Sequence, residues 1–143
     1  NLPGSMTFET NGTQKLTEPF KQWIKDIPEE IFFSVSPKLF TVSGEKTAKA
    51  IKPENVKEYA ECSDRGQLKF VVGSERRQWE ELENTVRKFR EVGIDWPVWI
   101  MPTGAREEEQ TATAGKVAEE AFKRGDNVSA RVHVYLFGNA IGT

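Results

Sequence analysis

Short apolar runs alternate along this chain with segments whose apolar residues recur at helical spacing, and this alternation limits the fold more than any other feature. A strand inside a parallel sheet reads as a near-continuous apolar run, whereas a surface helix shows one apolar stripe. Residues 6–10 read as the first strand. Thr17 then offers an N-cap hydroxyl, with Phe20, Trp23, Ile24 and Ile27 following at helical spacing. Residues 31–35 form an apolar run broken only by Ser34. Ser36-Pro37 ends it, because proline lacks an N–H and restricts the residue before it. Pro53 suits the first turn of a helix reaching about Cys62, with Val56, Tyr59 and Ala60 on its apolar side. Residues 68–72 are the next strand. Ser74 stands where it can cap a long helix whose stripe is Trp79, Leu82, Val86 and Phe89, ending near Gly93. Residues 97–101 predict a fourth strand. The helix after Gly104 puts Ala114, Val117, Ala118, Ala121 and Phe122 on one face and closes at Gly125. Residues 131–137 alternate strictly, with Val132, Val134 and Leu136 opposite Arg131, His133, Tyr135 and Phe137.

Repeated strand–helix units predict an α/β fold of mainly parallel strands joined by right-handed crossovers. With no linker, internal repeat or low-complexity tract, residues 1–143 read as a single domain. The leading Asn1-Leu2-Pro3-Gly4-Ser5 stands outside the fold argument. The net charge of −2 provides no basic field for a phosphate backbone, so direct nucleic-acid binding is not expected. No apolar run approaches the ~20 residues needed to span a bilayer, so no membrane partner is expected. A single cysteine, Cys62, excludes an internal disulfide and any all-cysteine metal site within one chain. It points to a reducing, cytoplasmic setting. The triplet Glu107-Glu108-Glu109 fits the solvated first turn of a helix.

In parallel α/β folds ligands bind at the carboxyl ends of the strands. The ends here are polar, short and glycine-bearing: Glu9 to Thr13, Ser34 to Lys38, Gly73-Ser74, Met101 to Gly104, and Gly138 to Thr143. Each has two readings. Asn11-Gly12 is a turn dipeptide, and Thr13 is equally a turn residue or a ligand. Glu9 either meets a ligand or is simply solvated. Ser36 and Lys38 bracket a proline turn, where a lysine is usually exposed. Lys69 lies inside an apolar strand, so it needs a polar interior, a ligand or an acidic partner. His133, the one histidine, is either structural or a ligand contact. Met101-Pro102 ends a strand, and its apolar surface suits an adenine ring. Walker A, GxGxxG, HExxH and GxSxG motifs are absent, and Cys62 reads as core rather than as a nucleophile.

The strings Phe8-Glu9-Thr10-Asn11-Gly12-Thr13, Ser34-Val35-Ser36-Pro37-Lys38, Leu68-Lys69-Phe70-Val71-Val72, Met101-Pro102-Thr103-Gly104 and Arg131 through Asn139 stand in one order and spacing. Together they resemble the 7-carboxy-7-deazaguanine synthase family of radical S-adenosylmethionine (SAM) enzymes, over a span from about Thr7 to the C-terminus. The resemblance implies the C-terminal part of an incomplete (β/α) barrel. It implies conversion of 6-carboxy-5,6,7,8-tetrahydropterin to 7-carboxy-7-deazaguanine, in queuosine and other 7-deazapurine biosynthesis. It also implies SAM, a 4Fe–4S cluster and Mg²⁺ as cofactors, and a homo-oligomer. By resemblance, Glu9, Thr10, Asn11, His133 and the carboxylate of Thr143 approach the pterin. Asn11, Ser36, Lys38, Lys69, Met101 and Pro102 approach SAM.

The family's CxxxCxxC cluster loop and its glycine-rich SAM motif are not in these residues. The reading is therefore a truncated or split enzyme half that binds no cluster as a monomer, holds no catalytic residue and is inactive alone. Two other readings stand beside it: an organic-radical activase like that of anaerobic ribonucleotide reductase, and a non-enzymatic small-molecule-binding α/β module. Three-dimensional expectations follow. Lys69, His133 and Glu9 should share the concave polar side of the sheet, away from the helices. The uncovered strand at residues 6–10, or a neighbouring exposed face, should be prone to self-association.

Overall fold

The computed structural model describes residues 4–104 and 107–129. Among these residues the fold is α/β, with a five-stranded sheet in the order β1-β2-β3-β4-β5 and every neighbouring pair parallel. The strands are β1 (Ser5–Thr10), β2 (Glu30–Val35), β3 (Gly66–Val72), β4 (Val98–Pro102) and β5 (Asn127–Val128). The long helices are α1 (Glu18–Asp26), α4 (Pro53–Cys62), α5 (Arg76–Glu91) and α6 (Glu107–Lys123). Two four-residue helices, α2 (Phe40–Ser43) and α3 (Thr47–Ala50), lie between β2 and α4.

Local chemistry sets the boundaries. The Thr17 hydroxyl accepts from the Phe20 N–H at 3.3 Å and starts α1, as expected of an N-cap. Pro53 opens α4, where its missing N–H costs nothing. Helix α5 corrects the expectation for Ser74. Its N-cap is Glu75, whose carboxylate and the Gln78 side chain cap each other's backbone N–H groups, and Ser74 stays exposed outside the helix. Strand β4 runs one residue later than expected, and β3 starts two residues earlier, at Gly66. Gly66 fits there because Trp96 lies across it: an added Cβ would stand 2.6 Å from the indole ring. The strand expected at residues 131–137 lies outside the described residues; β5 is found at Asn127–Val128, paired with Trp99 and Ile100.

One face of the sheet carries the core. Ile31, Phe33, Val35, Leu68, Phe70, Val72, Val98 and Ile100 are buried together with Ile24 of α1, Val56 and Tyr59 of α4, Trp79, Leu82 and Phe89 of α5, and Val117 and Ala121 of α6. Phe122 was expected in the same stripe, yet it is 67% exposed. It follows Ala121 by one residue, and one step turns the side chain about 100° around the axis, away from the sheet. Parallel strands in chain order, joined by crossovers of one hand, place all their helices on one side. The register then aligns the opposite face: Thr7 and Glu9 of β1, Phe32 and Ser34 of β2, Gln67, Lys69 and Val71 of β3, Trp99 and Met101 of β4.

Candidate functional site

The carboxyl ends of β1 to β4 open on that second face, and their loops are fixed by hydrogen bonds within the loop and to neighbouring elements. After β1, the Asn11 carboxamide oxygen accepts from the Thr13 N–H at 3.1 Å and the Thr13 hydroxyl at 2.8 Å. Thr10 points to the helix side, where its hydroxyl accepts from the Gly12 N–H at 3.1 Å. Gly12 has φ +79°, and a Cβ there would stand 2.9 Å from Val35 and 3.0 Å from Val56, so only glycine fits. Asn55 donates to the Thr13 carbonyl at 3.0 Å and the Tyr59 hydroxyl to that of Gln14, which fastens the loop to α4. Burial raises the Tyr59 phenol above its ordinary pKa, so it stays a donor. Thr10 and Asn11 thus shape the rim, while Glu9 stands exposed on the open face.

Between β2 and α2 the chain forms the lip of a cleft of about 170 Å³. The Ser36 N–H donates to the Thr10 carbonyl at 2.8 Å; half-buried Ser36 and Lys38 line the cleft together with buried Pro37 and Leu39. Across it stand Lys69 and Val71 of β3. Lys69 shares strand parity with half-buried Gln67 and Val71, and the buried Leu68, Phe70 and Val72 face the helices. Its expected placement on the open side therefore holds. Neither the Lys38 nor the Lys69 side chain has an ion pair or hydrogen bond among the described residues. Glu9 shares the face of Lys69 but does not pair with it. Two ammonium groups lining one cleft suit an anionic group between them.

Lys69 also walls a second recess, of about 190 Å³, with Gln67, Trp99 and Ser129. The Gln67 amide donates to the buried Ser34 hydroxyl at 2.9 Å, so its carbonyl oxygen remains to accept from a ligand. Trp99 is half-buried, and its ring and N–H have no partner among the described residues, in contrast to the bonded indoles of Trp79 and Trp96. A flat apolar wall, an ammonium, an amide oxygen and a hydroxyl suit a planar polar heterocycle. Sequence reading missed Gln67, Trp99 and Ser129. The structure alone shows half-buried Trp99 and Met101 alternating with buried Val98 and Ile100; the apolar run in the sequence does not tell the two faces apart.

Met101 and Pro102 part company: Met101 is on the open face in register with Val71, and Pro102 is buried on the helix side in register with Val72. The rim beside them is closed by the Trp79 indole, donating to the Gly73 carbonyl at 2.9 Å, and by the Thr103 N–H, donating to the Val72 carbonyl at 3.0 Å. His133 and Thr143 lie outside the described residues. A larger cleft of about 410 Å³ opens at the opposite end of the strands, beside Glu61, Cys62 and Asp64. Burial raises the Cys62 thiol above its ordinary pKa, which makes it a poor nucleophile. Among the described residues no group of three His, Cys, Asp or Glu side chains could hold a metal ion. No helix among them is long and apolar enough to cross a membrane. Comparisons with protein-family models, curated proteins and solved structures found no match to this chain.

Proposed function

We propose that this chain is the C-terminal part of a radical SAM enzyme of the 7-carboxy-7-deazaguanine synthase kind, and that its open sheet face holds SAM and a carboxylated pterin. The observation that carries the reading is the pair of unpartnered ammonium groups, Lys38 and Lys69, at one rim cleft. They suit a carboxylate, and both proposed ligands carry one. Consecutive parallel strands with helices on one side accord with an arc of a (β/α) barrel, whose interior the open face would line. On this reading Ser36, Lys38, Lys69 and Met101 hold SAM at the rim, Asn11 shapes the loop beside them, and the Trp99 recess takes the pterin ring.

The iron–sulfur cluster does not fit these residues. It needs several thiolates, and the sequence has only Cys62. No step of radical chemistry is therefore assigned to this chain; its part is binding and orientation, with the thiolates supplied by another segment or polypeptide. Mg²⁺ likewise finds no cluster of acidic ligands among the described residues. That shortage of metal ligands also favours a second reading, a small-molecule-binding module without catalysis.

Calorimetric titration of the chain with SAM and with 6-carboxypterin tests the binding. Lys69→Met should weaken SAM binding at least tenfold, about 1.4 kcal/mol, without lowering the melting temperature. Anaerobic reaction with SAM, reductant and the tetrahydropterin, in the presence of a CxxxCxxC-bearing partner segment, should then yield 7-carboxy-7-deazaguanine. Binding without product under those conditions would favour the module; no binding of either ligand would sink the enzyme reading.

A further inference from the structure

The lip of the Lys38–Lys69 cleft is held from outside by a residue that lines no part of it. Helix α2 follows the lip directly, and its N-cap, Leu39, has no side-chain capping bond. A helix start leaves backbone N–H groups without partners. Glu81, half-buried on α5, supplies the missing acceptors. One carboxylate oxygen accepts from the Phe40 N–H at 2.8 Å; the other accepts from the Thr41 N–H at 2.9 Å and the Thr41 hydroxyl at 2.6 Å. Glu81 forms no ion pair among the described residues, so its charge is committed to these donors. Hydrogen bonds to an ionised acceptor are stronger than neutral ones. The segment so fixed contributes Ser36, Lys38, Val42 and Ser43 to the cleft.

We infer that Glu81 is a positioning residue: it clamps α2 to α5 and thereby holds Lys38 across the cleft from Lys69. The inference rests on the reading that this cleft takes the SAM carboxylate, but the clamp itself is measurable without any ligand.

Three readouts on the full 143-residue chain test it: amide exchange at Phe40 and Thr41, trace acetylation of Lys38 relative to Lys69, and calorimetric titration with SAM. In Glu81→Ala the two amides should exchange at least tenfold faster, the Lys38-to-Lys69 labelling ratio should change severalfold, and SAM affinity should fall about tenfold. Glu81→Gln keeps one acceptor oxygen for the Thr41 N–H and hydroxyl, while its NH2 cannot accept from Phe40; Thr41 exchange and the labelling ratio should return to within about threefold of wild type, with Phe40 still exchanging faster. Should Glu81→Ala fail to fold, Thr41→Val removes one donor alone, and faster exchange at residues 40 and 41 with an altered labelling ratio is then expected. Wild-type exchange and labelling in Glu81→Ala, or in Thr41→Val where that variant stands in, would overturn the inference. If the wild type binds no SAM, the functional reading fails while exchange and labelling still decide the clamp. A loss of melting temperature with an unchanged labelling ratio would reduce Glu81 to a stabilising residue and overturn its positioning role.

Discussion

Asp126 shows how one residue can set a pH response. It sits in the turn between α6 and β5, where burial raises its carboxyl pKa and Arg124 and Arg90 only partly offset that. A carboxyl whose folded pKa lies above its unfolded value favours the protonated state in the fold. Stability therefore falls as pH rises from the ordinary value of 3.8 through the folded pKa, and the whole penalty is present at neutral pH. Asp126→Asn should raise the melting temperature at pH 7 by up to about 2 °C, a small effect because the group is partly solvated. At about pH 3, where both states are protonated, thermal melts of variant and wild type should coincide. A lower melting temperature for the variant at pH 7 would mean that the arginine attraction outweighs burial. Single residues were unevenly legible in the sequence. A charge inside an apolar strand announced Lys69, because only the open face could keep it hydrated. Trp99 gave no such notice, since a tryptophan suits either side of a sheet and only the register with Lys69 put the two in one recess.

At the scale of elements, the long helices could be read because apolar period and length agree over about nine residues or more, and the middle strands because short apolar runs stand between turn signals. The pair α2 and α3 could not, since four residues complete barely one turn and show no period. Helix α2 moreover takes its start from Glu81, a residue 40 positions or more away, and no local pattern encodes that. The cap of α5 slipped by one residue because serine is the commoner cap, while here Glu75 and Gln78 satisfy each other. Two glycines make the packing of elements testable with opposite signs. Gly66→Ala drives a methyl into the Trp96 ring that covers β3, so it should destabilise by about 2 kcal/mol in a denaturant titration. Gly115→Ala lies in α6 with nothing within 4 Å of the new Cβ, so it should stabilise by roughly 0.5–1 kcal/mol through helix propensity alone. Equal effects at the two sites would mean that Trp96 yields without cost.

For the whole molecule, β1 is an end strand of the described sheet and pairs only with β2. The Gly4 and Thr10 carbonyls accept from Glu30 and Ser36, and a parallel ladder uses alternate residues, so Thr7 and Glu9 turn their backbone groups outward. Beside this edge the rings of Phe8, Phe20 and Trp23 cluster within 5.2–6.1 Å of one another, and Trp23 is 40% exposed. Strand edges next to apolar surface favour pairing with another chain. Sedimentation velocity should show association that grows with concentration, and Thr7→Pro, which removes an outward donor while sparing the β1–β2 ladder, should diminish it. A concentration-independent monomer would exclude the edge as an interface. The strand order has a further consequence. Because spatial order equals chain order among the described strands, none of them is threaded between two made earlier. The chain can be severed in the loop ahead of any strand, and each piece keeps an unbroken share of the sheet. Such a sheet grows by accretion: each strand–helix unit is laid against the edge left by the one before it, and contacts such as Glu81 on α2 then bind together units that a cut would part.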